Sequence, residues 1–225
     1  MKRKMRGLAA ATLLSALCIG GCLCGCSVKV TTNAGSGSDT ITIDSSTPLT
    51  TMTESFDEAT ELSIDLNYGD LNITTGDTLS VTCIYPDSLM PKAECSNGVL
   101  TVESTSAENI TINGTLPEIS TTITIPSGTS FSAVTIKTGL GTMSLDSVIA
   151  QKLDAQNNMG DIIMKSCTFQ TVSIEDDMGS ITGTGLDITA GTIHSDMGDV
   201  NLTGSLGSVK SSTDLGTVTL NGSKQ

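Results

Sequence analysis

Acidic and amide side chains recur beside glycines at a near-constant spacing, and they carry the most evident chemistry in the chain. Two positions before Gly69, Gly141, Gly160, Gly179, Gly198 and Gly216 stand Asn67, Gly139, Asn158, Asp177, Asp196 and Asp214. One position after them stand Asp70, Thr142, Asp161, Ser180, Asp199 and Thr217. Piled over one another, Asp161, Asp177, Asp196 and Asp199 would offer hard oxygen ligands to Ca²⁺. No dense alternating ligand loop accompanies them, and Gly, Asn and Asp are also the residues that tolerate positive φ and close Asx turns. Turn formation is therefore the first role expected of them, with weak Ca²⁺ binding second and no other cofactor.

Other reactive types are fewer. Met159, Met178 and Met197 each precede an anchoring glycine. Stacked thioethers can hold Cu(I), but Leu140 and Leu215 fill the same column, so adaptable core filling is expected. His194-Ser195-Asp196 has the letters of a hydrolase triad. Neighbours on a strand point to opposite faces and cannot form the relay, so His194 reads as a surface residue. Cys83 and Cys95 flank a proline-containing loop and are a candidate disulfide outside the cytoplasm. Spacing alone does not set their Cα separation, and Cys167 is left over as a small hydrophobe.

Charge and composition narrow the classes. Four of the 11 Lys+Arg lie before residue 7, leaving seven lysines and no arginine after Cys26 against 24 Asp+Glu, a net charge of −17. That excludes nucleic acid as a partner and an anionic leaflet as a purely electrostatic one. The chain has two Tyr, three Phe and no Trp, so platforms for stacking sugars or bases are scarce. Scattered lysines and few aromatics also argue against the polysaccharide-cleaving chemistry that some β-helices support. The mixed column Ser63, Thr135, Asp154, Ser173, Thr192 and Lys210 lacks the regular Thr-x-Thr face that ice binding needs.

The elements that must position these residues follow from the repeat. Between Val134 and Leu220 the glycines step by 19, 19, 19 and 18 residues, and a sixth copy stands upstream at Leu62–Leu71. Two after the glycine come Leu71, Met143, Ile162, Ile181, Val200 and Val218. Five before it come Ile64, Ile136, Ala155, Ile174, Ile193 and Ser211, and seven before it Leu62, Val134, Leu153, Val172, Gly191 and Val209. Within each flank the apolar positions alternate with period two, as in a strand with one buried face. A fixed short period of strands and glycine turns predicts an all-β solenoid, a parallel β-helix-like stack of ~19-residue coils. One coil buries about five aliphatic side chains at roughly 1.5–3 kcal/mol each, against ~1–2 kcal/mol per residue for ordering its backbone, so a coil is stable only on its neighbours. Residues 50–128 hold further alternating strands in a less regular arrangement, and Thr217–Leu220 would leave an uncovered edge.

The start of the chain gives an address. Residues 1–26 read as an export signal: Lys2, Arg3, Lys4 and Arg6, then an apolar small-residue run, closing on Leu23-Cys24-Gly25-Cys26. That ending resembles a bacterial lipobox with Cys26 as the lipidated residue, and Ile19-Gly20-Gly21-Cys22 makes Cys22 the alternative. Residues 27–45, rich in Gly, Ser and Thr, read as a flexible tether, and 46–225 as a single β-solenoid domain.

Taken together, the strand–Gly69-Asp70–strand opening, Gly98-Val-Leu-Thr-Val, Thr121-Thr-Ile-Thr-Ile-Pro-Ser-Gly and the tandem Gly-Asp/Ser-Ile coils resemble the putative-adhesin family of β-strand-repeat domains of unknown function, which is similar to autotransporter-adhesin head domains. The resemblance spans roughly residues 50–220. It implies an extracytoplasmic β-solenoid and, by name, surface attachment; it implies no catalytic residues. The function expected is that of a lipid-anchored, non-enzymatic module on the outer face of a bacterial membrane, adhesin-like or contacting an envelope partner. The alternative is an envelope-stress sensor or regulator acting through a membrane-protein partner, and a carbohydrate-active enzyme is a more remote one.

Overall fold

In a computed structural model, residues 40–105, 109–113 and 117–223 are described. Their strands are β1 (Thr40–Asp44), β2 (Thr50–Phe56), β3 (Glu61–Tyr68), β4 (Asp70–Gly76), β5 (Leu79–Tyr85), β6 (Lys92–Ser96), β7 (Val99–Glu103), β8 (Asn109–Asn113) and β9 (Ser120–Pro126). They continue with β10 (Ser130–Leu140), β11 (Met143–Asp146), β12 (Ile149–Met159), β13 (Ile162–Lys165), β14 (Thr168–Met178), β15 (Ile181–Met197), β16 (Val200–Leu215) and β17 (Val218–Ser223). One 3₁₀ turn, Asp87–Leu89, is the sole helical element among the described residues.

The repeat folds as coils lying over one another. One parallel ladder runs β7-β3-β10-β12-β14 and on to the later halves of β15 and β16. The other runs β9-β4-β11-β13, through the first halves of β15 and β16, to β17. Ile162 pairs with Ile181 and Ile181 with Val200, so like residues stack one period apart. Leu62 sits beside Val134, and Leu71 beside Met143, so the upstream copy docks directly on the first coil of the continuous array. The inward columns are closed to water: Leu71, Met143, Ile162, Ile181 and Val200 are all buried, as are Ile64, Ile136, Ala155, Ile174 and Ile193. Each such aliphatic side chain contributes roughly 1.5–3 kcal/mol.

Two details of the chain explain irregularities in the period. At one corner Ser147, Ser166 and Gly185 share a left-handed conformation, with φ of 59°, 52° and 64°. Where β15 runs Gly183 to Leu186, β16 runs Leu202 to Gly204, one residue shorter. That missing corner residue is the reason the last step is 18 rather than 19. At the opposite corner Gly160 takes φ +122°, and a Cβ there would run into the carbonyl of Gly141 in the coil beneath. Only glycine meets both demands.

The first part of the domain departs from coil geometry. β2, β5 and β9 are antiparallel, and β6 and β7 form a hairpin across Asn97 (φ 53°) and Gly98 (φ 80°), the left-handed pair that a tight hairpin turn requires. The expected signal, with Cys22 and Cys26, lies outside the described residues. So does most of the expected tether, but its last part does not behave as one. Thr40–Asp44 is strand β1, paired in parallel with β8, and Ile43 is buried, so the folded region begins before residue 46.

Candidate functional site

The residues singled out for chemistry gather at the glycine corner. There side chains at the position after the glycine staple coils together in four of the five steps. Asp70 Oδ1 accepts from the Thr142 N–H (2.8 Å), Asp161 Oδ1 from the Ser180 N–H (2.9 Å), and Asp199 Oδ1 from the Thr217 N–H and hydroxyl (2.8 Å each). In the coil between, Ser180 Oγ accepts from the Asp199 N–H at 3.3 Å. The Thr217 amide, then its hydroxyl, hold the Asp199 carboxyl below its ordinary value. Two of the four expected Ca²⁺ ligands, Asp161 and Asp199, thus spend an oxygen on the fold, while Asp177 projects into solvent.

Asp196 enters a different group. His194 Nε2 lies 2.9 Å from Asp196 Oδ1 and 3.9 Å from Asp214 Oδ1, and its Nδ1 lies 2.8 Å from Ser212 Oγ. One ligand atom each from His194, Asp196 and Asp214 fall within 4.8 Å of one another. An imidazole with two carboxylates is a donor set for a borderline ion such as Zn²⁺ rather than for Ca²⁺, which takes oxygen alone. Ser195, between His194 and Asp196, is fully buried and points to the opposite face, where its hydroxyl donates to the Gly179 carbonyl at 2.9 Å. The triad letters therefore form no relay.

That opposite face holds a polar column that the apolar reading of the repeat passed over. Three before the glycine stand Thr138, Asn157, Asp176 and Ser195, all buried. Thr138 Oγ1 donates to Asn157 Oδ1 (2.7 Å), and Asn157 Nδ2 donates to the Gly160 carbonyl (2.5 Å) and to Asp176 Oδ1 (3.3 Å). Asp176 Oδ2 has no hydrogen-bond partner among the described residues. Burial pushes the Asp176 carboxyl up to about 6, against the lowering effect of the Asn157 amide; the charges of Asp161 and Asp177 push the same way as burial. Continuing the period-two pattern one step nearer the glycine would have found this column.

The methionine column is a correction. Met159, Met178 and Met197 pair in register, but they are 44%, 38% and 46% exposed, and Leu215 at the end of the column is 68% exposed. The chain begins to turn at the glycine, so the residue before it swings out of the inward set and fills no core. The cysteine pairing is a second correction. Cys83 is buried on β5, against the Thr121 hydroxyl at 3.8 Å, whereas Cys95 on β6 points its thiol at the Glu58 carbonyl at 3.3 Å. β5 pairs with β2 and β9, and β6 with β7, so the two thiols belong to different ladders and both are free. Cys167 is buried in the core as expected.

Among the described residues the last coil is uncovered. β17 covers only the first part of β16, and no strand among the described residues covers Leu206–Leu215 or β17 itself. Val218 and Leu220 are 40% and 43% exposed, although Val200 and Leu202 directly beneath them are wholly buried.

A family model described as Toastrack DUF4097 matches residues 30–224. Solved structures similar to this chain include a putative adhesin from Bacteroides fragilis NCTC 9343, at 17% identity over 80% of this chain and 96% of that one, with a TM-score of 0.47. A putative adhesin from Parabacteroides distasonis ATCC 8503 gives 14%, 81%, 98% and 0.45 in the same order. A putative cell adhesion protein from Clostridium sporogenes ATCC 15579 gives 12%, 78%, 100% and 0.47. No curated protein matches the chain.

Proposed function

The chain belongs to the Toastrack DUF4097 family, a family of unknown function, and from that premise we propose that it is a non-enzymatic interaction module displayed on the outer face of a bacterial membrane. Cys26, or Cys22 in its place, carries the lipid, and the solenoid offers a contact surface to another envelope or surface protein. The observation that supports this most is the exposed ridge Met159, Met178, Met197 and Leu215. Side chains aligned one per coil, at about 4.8 Å spacing, form a continuous apolar strip along one corner. Methionine is flexible and polarisable, and suits a surface that must fit against another protein. Acidic groups such as Asp177 and Asp196 flank the strip, which favours a partner with a basic rim.

Capture from intact envelopes tests the reading. The wild-type chain is expected to retain a partner that a Met159→Gln, Met178→Gln, Met197→Gln variant releases. Equal capture by both would remove the ridge from the argument. The anchor has its own test: acyl mass on the mature N-terminus is expected to vanish in Cys26→Ala and persist in Cys22→Ala, and the reverse pattern would move the lipid to Cys22.

A further inference from the structure

We propose that the protein pairs end to end with a second copy of itself, the outer arm of β16 running antiparallel to its symmetry mate across a two-fold axis at Ser212. This goes beyond the ridge, with which it shares only Leu215, and it rests on the arm of β16 that no strand among the described residues covers.

The two ends of the stack are built differently. At the end formed by the earlier strands, the outermost strands are β2 and β6. β6 begins after Pro91 and carries exposed Lys92, a guarded edge of the kind that discourages pairing. At the other end β17, Val-Thr-Leu-Asn-Gly-Ser, carries no charge. Apolar columns closed in every coil beneath stop there half exposed, at Val218 and Leu220. In the same coil the Ser211 hydroxyl is shut from water and has no hydrogen-bond partner among the described residues. A backbone edge and apolar side chains are thus uncovered on one surface, with the unpaired Ser211 hydroxyl just inside it.

The sequence of the arm selects the occupant. Leu215 turns its carbonyl down to the Gly198 N–H at 3.0 Å. Strand alternation then turns the N–H and C=O groups of Lys210, Ser212 and Asp214 outward, free to pair. A two-fold at Lys210 would set lysine against lysine, and one at Asp214 aspartate against aspartate, both destabilising. A two-fold at Ser212 sets Lys210 opposite Asp214 of the second copy, twice over. It also sets Val209 opposite Leu215 and Ser211 opposite Thr213. The Thr213 hydroxyl already donates to the Gly198 carbonyl at 2.8 Å, which leaves its lone pairs to accept the Ser211 proton. The arm is complementary to itself in one register, as an isologous interface requires.

Sedimentation equilibrium of the full chain in a mild non-ionic detergent tests this, with Lys210→Asp and Asp214→Lys as variants. Both positions are exposed, and matching circular dichroism checks that each variant folds. A dimer is expected for the wild type across the micromolar range, with each variant dissociating at least about tenfold more readily. An equimolar mixture of the two variants restores unlike charges across the interface and is expected to dimerise again. A monomeric wild type, a dimer indifferent to both substitutions, or a mixture that stays monomeric would each overturn the proposal. Loss of ridge-dependent capture leaves this experiment unaffected, so the two readings fail separately.

Discussion

Asp176 is a carboxylate in a column built for neutral hydrogen-bonding groups. One coil away Asn157 occupies the equivalent position and donates Nδ2 to the Gly160 carbonyl at 2.5 Å. The matching acceptor for Asp176 is the Gly179 carbonyl, which takes the Ser195 hydroxyl on one lone pair, and a charged Oδ2 cannot donate to the other. Because burial raises the folded-state value to about 6 from 3.8, the folded chain holds this proton more tightly than the unfolded chain. The contribution is then greatest below pH 4, falls as pH rises through the interval to 6, and leaves a deficit on the order of 1–3 kcal/mol at neutral pH once solvent screening is allowed for. Asp176→Asn supplies a permanent donor of the same shape. It is expected to raise the melting temperature by ~5–10 °C at pH 8 and to change it little at pH 4. A shift of equal size at both pH values would show that the gain does not come from proton linkage.

At the scale of the element, the value of an inward side chain depends on whether a coil lies on both sides of it. Leu202 has β15 beneath and β17 above, and is wholly buried. Leu220, its equivalent one coil on, has β16 alone and is 43% exposed. Leu202→Ala is expected to cost ~2–5 kcal/mol in chemical denaturation and Leu220→Ala about half of that or less. Both are measured below the concentration at which the chain pairs end to end, where equal costs would mean that another segment of the same chain covers the last coil. The same dependence on neighbours decides what was legible beforehand. Ile162, Ile181 and Val200 could be aligned because every coil repeats the same environment, and Leu62 could be placed on Val134 because it repeats that environment too. Met178 was misplaced because period two was carried through the glycine, where the backbone leaves the strand. Cys83 and Cys95 were misjudged because the first strands do not coil, so closeness along the chain ceased to imply neighbouring strands. Asp176 was hidden because a buried carboxylate contradicts its residue type, and only its position in the pattern gave it away.

At the scale of the whole molecule, each coil touches only the coil before and the coil after, so stability is close to a sum of coil and interface terms. Residues 161–179 are one full period, the register running Ile162 to Ile181. Their removal joins Gly160 to Ser180, a junction chemically identical to the native Gly179-Ser180 link. Leu153 would then face Gly191, Ala155 would face Ile193 and Asn157 would face Ser195, each meeting a residue from the column it already belongs to. The shortened chain is expected to fold cooperatively with the same strand spectrum, to unfold at a somewhat lower temperature, and to keep its open last coil. A deletion of residues 161–178 removes one residue fewer and turns every side chain between Gly160 and the next corner to the wrong face. It is expected to unfold at a clearly lower temperature than the in-register deletion, because the one-residue change that β16 absorbs between Leu202 and Gly204 falls at the other corner. Should both deletions unfold alike, the coils would not be interchangeable units, and cohesion would have to come from contacts longer than one period.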